Sequence, residues 1–165
     1  MRSYLKPSER TAESRRRIGC CAVVDELISH MGFARAICPD MEVRKCIKAL
    51  QIDLYKLGAV IAAPTGAKKL EAVTCPAVMN HLETEIHRIK SVPGVLREGS
   101  LFWELPAAAA LDVSRTISRR AERLVRRLTG ESEVGISFIA AYLNRLAELL
   151  WLLSRLLESR HGVNS

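Results

Sequence analysis

Aromatic side chains are scarce in this 165-residue chain, at 5% of the total. Strands draw on aromatic and β-branched residues. Their scarcity, beside abundant Leu, Ala, Arg and Glu, argues against a strand-rich fold and favours helix. No cysteine pair has CxxC spacing. The five cysteines, Cys20, Cys21, Cys38, Cys46 and Cys75, are odd in number and lie in or beside apolar periodic segments. That pattern argues against a disulfide or zinc framework, so buried thiols in a reducing cytoplasm are expected. The opening "MRSYLKPSERTAESRRR" lacks the apolar core of a secretory signal; its basic character leaves organellar targeting as the alternative. The run "LAELLWLLSRLLE" is interrupted by Glu148 and Arg155, which argues against a membrane span. The phosphate loops GxxxxGK and GxGxxG are both missing. So are internal repeats and low-complexity tracts.

What is present suits one packed domain. Hydrophobic residues make up 48% and charged residues 26%, enough for a core and against disorder. Net charge is +7 and the pI is near 9.5. A balance this basic is compatible with nucleic acid, an anionic membrane or a phosphorylated small molecule.

Residues 1–16 are polar and read as mobile or partner-ordered, with a helical bundle domain over 17–160. A first helix is predicted over 17–37, with Val24, Leu27, Ile28, Met31 and Ala34 at helical spacing. "CPD" breaks it, and Asp40 can cap a second helix over 41–63 that repeats Ile47, Leu50, Leu54, Leu57 and Ile61. A third begins near Thr74, with Pro76 in its first turn, and runs to Lys90. A fourth starts at Pro106 and stops before Gly130. A fifth spans 133–159. The fold class is therefore all-α, a five-helix bundle. The loops at 64–73 and 91–105 are long for a bundle, and long loops often carry function.

"RTISRRAERLVRR", from Arg115 to Arg127, concentrates positive charge in the fourth helix. At about 100° per residue, Val113, Ile117, Ala121, Leu124 and Leu128 form one apolar stripe. Arg115, Arg119, Arg123 and Arg126 share an arc on roughly the opposite side, with Arg120 and Arg127 to one flank. Either this face is solvated, or an anion docks on it. Surface charge usually mixes signs, whereas here arginines recur at the spacing where like charges repel. The planar guanidinium fork also suits phosphate and carboxylate oxygens. Nucleic acid is disfavoured, because exposed aromatics are not interleaved with the arginines and no nucleic-acid motif is present.

Three blocks then carry a resemblance: "AVVDELISHMGFARA" (Ala22 to Ala36), "SRTISRRAERLVRRL" (Ser114 to Leu128) and "YLNRLAELLWLLSR" (Tyr142 to Arg155). "LQIDLYKLGAVIAAP" (Leu50 to Pro64) matches more loosely. In order and spacing, over about residues 8–158, they resemble the ATP:cob(I)alamin adenosyltransferases of the propanediol-utilisation type. The resemblance implies a five-helix bundle assembled as a homotrimer, with active sites between neighbouring subunits. It implies transfer of the 5′-deoxyadenosyl group of ATP to reduced cobalamin, with release of triphosphate and with Mg2+ accompanying ATP. A reductase and an adenosylcobalamin-dependent mutase are the further partners implied; neither nucleic acid nor membrane is. Co(I) is itself a strong nucleophile, so no catalytic side chain is required; the protein must orient ATP and stabilise the leaving triphosphate.

By motif position, Arg119, Arg120, Glu122 and Arg123 line the ATP site, with Arg119 and Arg123 best placed as its ligands. Glu122 fixes an arginine or sits near metal and ribose. Asn144 hydrogen-bonds the nucleotide from the fifth helix, and Asp25 pairs with Arg115 across the subunit interface. In the family a Phe just before an LPGGS-like turn helps exclude the lower axial ligand of cobalamin. Here "LFWELPAAAAL" places Trp103 at that position, with Phe102 beside it; the two face cobalamin or plug the bundle end. Tyr142, Trp151 and Phe138 read as core. His30, His81, His87 and His161 form no metal signature and are expected at the surface or an interface.

Departures from the family pattern are specific. Its Gly-rich TKTGDxGxT stretch has no equivalent, and "SERTAESRRR" (Ser8 to Arg17) aligns just after it. Glu13 stands where a Lys is usual, and Asp112 where a His is usual. The turn after Pro106 is shortened. Three expectations compete: a truncated start; substitution of the lost loop by Arg10, Arg15, Arg16 and Arg17; or a non-catalytic trimeric paralogue that binds cobalamin or nucleotide.

Overall fold

The computed structural model describes residues 12–62, 76–96, 103–128 and 134–161. They form α1 (Ala12–Ile37), α2 (Met41–Ala62), α3 (Pro76–Lys90), α4 (Pro106–Arg126) and α5 (Val134–His161). No strand occurs among the described residues. The predicted five-helix, all-α architecture is what is found.

Helix boundaries follow local chemistry. α1 starts at Ala12 rather than at residue 17. Its first turn, "AESRR", has helix-forming residues but no apolar rhythm, so periodicity could not mark the start. At the other end of α1, Asp40 caps α2: its Oδ1 accepts the backbone N–H of Glu42 at 2.9 Å and of Val43 at 3.0 Å. Arg160 of α5 reaches Oδ2 at 2.9 Å. Burial opposes the charge on Asp40, but the N–H of Val43, Arg160, His161 and the N–H of Glu42 outweigh it and hold the carboxyl down at about 2. α3 opens on Pro76, whose missing N–H costs nothing in a first turn; Thr74 lies outside the described residues. The turn after α3 places Gly94 at φ 87°, a conformation that suits glycine. α4 ends at Arg126, earlier than the expected stop at Gly130, which is also outside the described residues.

The apolar periodicities of α1 and α2 converge on one core. Val24, Leu27, Met31 and Ala34 pack with Ile47, Leu50, Leu54, Leu57 and Ile61, all buried. Ile28 is only partly covered. Gln51 Nε2 donates to the Ile28 carbonyl at 2.8 Å. Gly32 permits that approach, because a Cβ there would stand 3.2 Å from the same amide nitrogen. α5 is the central helix, packing on α4, α3 and α2. By length and composition Gly135–His161 could cross a membrane, so Glu148 and Arg155 do not interrupt it enough to decide the matter. Its burial does: 61% of its most apolar window lies inside the bundle, as in the core helix of a globular domain. Ser118 Oγ donates to the Leu143 carbonyl at 2.8 Å, fastening α4 to α5.

Cys20, Cys38 and Cys46 are buried and unbridged, and Cys21 is half-buried. Burial pushes the thiols of Cys20 and Cys21 up to about 11 and that of Cys46 to about 12. They stay protonated at neutral pH and pack as small apolar groups.

Candidate functional site

α4 is where charge and core meet. Its buried residues include Leu111, Ser114, Ile117, Ser118, Ala121, Glu122 and Val125. The buried stripe is thus rotated from the expected one: Val113 is 45% exposed, while Ser114, Ser118 and Glu122 face inward. The physical reason is that Ser114 and Ser118 satisfy their hydroxyls on the Ala110 and Leu143 carbonyls, at 2.9 and 2.8 Å. A serine so paired can occupy a core position.

Glu122 is 4% exposed. Its carboxylate accepts Nη1 of Arg119 at 2.6 Å on Oε2 and Nε of Arg126 at 2.9 Å on Oε1. A carboxylate taken from water needs such partners. One buried anion therefore holds two members of the arginine arc. Arg115 donates through Nε to Asp112 Oδ1 at 2.6 Å. The single-nitrogen tethers of Arg115 and Arg119 leave other guanidinium N–H groups for further acceptors.

Between α4 and α5 lies a cleft of about 500 Å³, lined by Trp103, Asp112, Arg115, Arg119, Asn144, Ala147, Glu148 and Trp151. Asn144, Glu148 and Trp151 recur at helical spacing along α5 and share one face. The cleft offers two guanidinium groups and a carboxamide beside two indoles. Such a surface can hold an anionic group at one end and lay a flat apolar face against the other.

Residues 2–157 match the family described as cobalamin adenosyltransferase. The chain belongs to this family. It is 32% identical, over 152 residues, to a corrinoid adenosyltransferase of Citrobacter freundii, covering 89% of this chain and 84% of that protein. It is 33% identical, over 162 residues, to a cobalamin adenosyltransferase of Cupriavidus metallidurans, covering 96% and 83%. Among solved structures, a variant PduO-type ATP:corrinoid adenosyltransferase from Lactobacillus reuteri, complexed with cobalamin and ATP, superposes with a TM-score of 0.73 at 25% identity, covering 87% of this chain and 80% of that one.

Within this member of the cobalamin adenosyltransferase family, the site residues singled out from sequence divide into groups. Arg115, Arg119, Asn144 and Trp103 come together in the cleft. Glu122 stands behind it and orients Arg119. Arg120 turns the other way and pairs with Glu26 of α1. Arg123 is exposed and forms no ion pair among the described residues. Asp25 lies on the side of α1 facing α2: one turn before it the Cys21 thiol reaches the Gly58 carbonyl at 4.0 Å, and one turn after it Ile28 accepts from Gln51. It does not meet Arg115 within the chain. Phe102 lies outside the described residues.

Sequence reasoning missed Trp151 and Glu148. Trp151 was expected in the core but is 36% exposed at the cleft. Its spacing of seven from Asn144 was the available signal. Among the described residues no group of three or more His, Cys, Asp or Glu could hold a metal ion. The carboxylates at the cleft, Asp112 and Glu148, are each already engaged by a cation. This donor set suits a Mg2+ carried mainly on substrate phosphates, which is how that ion commonly binds, rather than one caged by protein.

Proposed function

We propose that this protein transfers the 5′-deoxyadenosyl group of ATP to a reduced corrinoid. The observation that carries the reading is the single cleft joining Arg115, Arg119 and Asn144 to Trp103 and Trp151. The Co(I) electron pair forms the Co–C5′ bond, the C5′–O bond breaks, and its pair leaves with triphosphate. The chain's part is orientation and charge. Arg119, held from behind by Glu122, presents its remaining donors to anionic oxygen, with Arg115 one turn away. Arg123 extends the same basic face, and Arg120 braces the helix against α1. Asn144 supplies amide hydrogen bonds to the nucleotide. Trp103 and Trp151 give an apolar wall that keeps water from the corrinoid face; Phe102 adjoins that wall in sequence. Mg2+ would ride on the phosphates and supply further charge neutralisation there.

The site is completed in a homotrimer. Two observations support this. Asp25 and Arg115 lie on different faces of the protomer and so can pair between subunits. Phe33, Met41, Ile52 and Tyr55 leave large apolar side chains exposed on α1 and α2 and their corner, area that association would cover. A reductase and an adenosylcobalamin-dependent mutase are the partners, in the cytoplasm, where the protonated, unbridged thiols are at home. A second reading, a non-catalytic trimer that binds cobalamin or nucleotide, draws on Asp112 and Glu148, which place negative charge in the cleft.

Incubation with ATP, Mg2+ and chemically reduced cobalamin separates the two readings. Loss of cob(I)alamin absorbance with formation of adenosylcobalamin supports transfer. A folded trimer that binds cobalamin or nucleotide but forms no product supports the binder.

A further inference from the structure

α4 begins without a cap of its own. Leu105 sits at the N-cap position, makes no side-chain cap and is followed by Pro106. The cap comes instead from the far end of α5. Oε1 of Glu158 accepts the backbone N–H of Glu104 at 2.9 Å and of Leu105 at 2.8 Å. One turn earlier on α5, Arg155 donates through Nε to the carbonyl of Val95 at 3.0 Å. Its guanidinium carbon also lies 5.9 Å from the centre of the Trp151 ring. Trp151, Arg155 and Glu158 follow the i, i+4, i+7 spacing of one helix face.

We infer that Arg155 and Glu158 are positioning residues that set the aromatic wall of the cleft. Glu158 fixes the backbone immediately after Trp103, and Arg155 steadies Trp151 while holding the turn at Val95. Neither residue lines the cleft. Their effect passes through the two indoles, so they tune how a flat, apolar ligand is received without touching the anion-binding end at Arg119. A carboxylate accepting two adjacent N–H groups at a helix start is also favoured by the helix dipole, which makes this cap stronger than a neutral one.

The inference rests on the corrinoid reading for its functional consequence but not for its structural one, and two measurements keep these apart. The protein has two tryptophans, Trp103 and Trp151, so intrinsic fluorescence reports the wall directly. In a Trp151→Phe background, Glu158→Ala is expected to red-shift Trp103 emission and raise its acrylamide quenching about threefold, as an ordered contact becomes mobile. Glu158→Gln, which keeps an acceptor at the same reach, should restore most of the difference. Glu158→Asp, shorter by one methylene, should behave like Ala while preserving charge and helical content, which guards against a variant that merely unfolds. With both tryptophans intact, Glu158→Ala should raise the KM for cob(I)alamin about tenfold, the scale of one lost charge-assisted bond. The KM for ATP should stay within about twofold. Unchanged Trp103 quenching in folded Glu158→Ala and Glu158→Asp overturns the inference whether or not the protein is a transferase. Equal KM changes for both substrates overturn the claim that the clamp acts on the corrinoid wall. Absence of any transfer by the wild type counts against the reading of function, and leaves the fluorescence result to decide the clamp.

Discussion

Two clusters of charged side chains flank α5 and use the same chemistry to different ends. On the α3 side, Arg145 engages Glu83 and Glu148 at once, and Lys90 reaches Glu148 at 2.5 Å. Charges there balance, two against two, and the hydrogen bond from Arg145 keeps the Glu83 carboxyl below its usual range. On the α4 side, Arg115 pairs with Asp112, Arg119 and Arg126 share Glu122, Arg120 pairs with Glu26, and Arg123 and Arg127 add further positive charge. The first cluster is closed and ties helices together. The second carries surplus positive charge that an anionic ligand would neutralise. The difference teaches that an arginine's role follows from whether its local charge is balanced, since the same residue type serves both places.

Arg119→Ala should break the comparison most visibly. Loss of one donor from a charge-stabilising site typically costs about 100-fold in kcat/KM, with ATP binding weakened. Stability should change by less than about 1 kcal/mol, since the arginine is half exposed and relieving like-charge repulsion offsets its lost tether. Steady-state kinetics and urea melts measure both; full activity in the variant would remove Arg119 from the site.

A third cluster, at Asp40, sharpens the contrast through pH. Its folded carboxyl titrates at about 2 against an ordinary 3.8. Its contribution is therefore complete above about pH 4 and is lost as pH falls towards 2. The shift corresponds to about 2 kcal/mol. Asp40→Asn should flatten the urea midpoint over that window, where the wild type declines.

Arg145→Ala should do the reverse of Arg119→Ala. A networked but third-exposed arginine is worth about 1 kcal/mol of stability, and transfer should remain within about threefold of wild type. A large activity loss at unchanged stability would show that the α3-side cluster serves the ligand too, through Glu148.

The smallest effect is expected at Tyr142, fully buried, whose hydroxyl finds no hydrogen-bond partner among the described residues. Burial drives its pKa upward, so the phenol stays neutral. Tyr142→Phe should leave stability within about 1 kcal/mol of wild type or raise it, because an unmade hydrogen bond carries only a desolvation penalty. Thermal melts check this, and a marked loss would point to an internal water bridging the hydroxyl.

Much of the fold was legible in advance. Asp40 was recognisable as a cap because its side chain acts on N–H groups two and three residues away. The core faces of α1 and α2 were recognisable because 3.6-residue periodicity is a local property. The start of α1 was not, because a polar first turn carries no rhythm. The inward turn of Ser114, Ser118 and Glu122 was hidden as well. Polar residues become core residues only when partners such as the Leu143 carbonyl come within reach. For the site, motif position grouped Arg119, Arg120, Glu122, Arg123 and Asn144 and set Arg115 apart as a partner for Asp25; in the structure Arg115, Arg119 and Asn144 line one cleft. Only packing shows that Arg120 turns towards Glu26.

By itself the sequence determined the helical class, the punctuation of most helices, the basic face of α4 and the family to which the chain belongs. These rest on contacts within a few residues or on patterns that survive divergence. Tertiary structure alone decided which arginines are neutralised, that Trp151 belongs to the cleft rather than the core, and that Glu158 holds the backbone N–H of Leu105, 53 residues before it, at the start of α4. Each of these depends on a partner distant in the chain. A side chain's electrostatic and packing role is set by its neighbours in space, and those exist only once the helices have met.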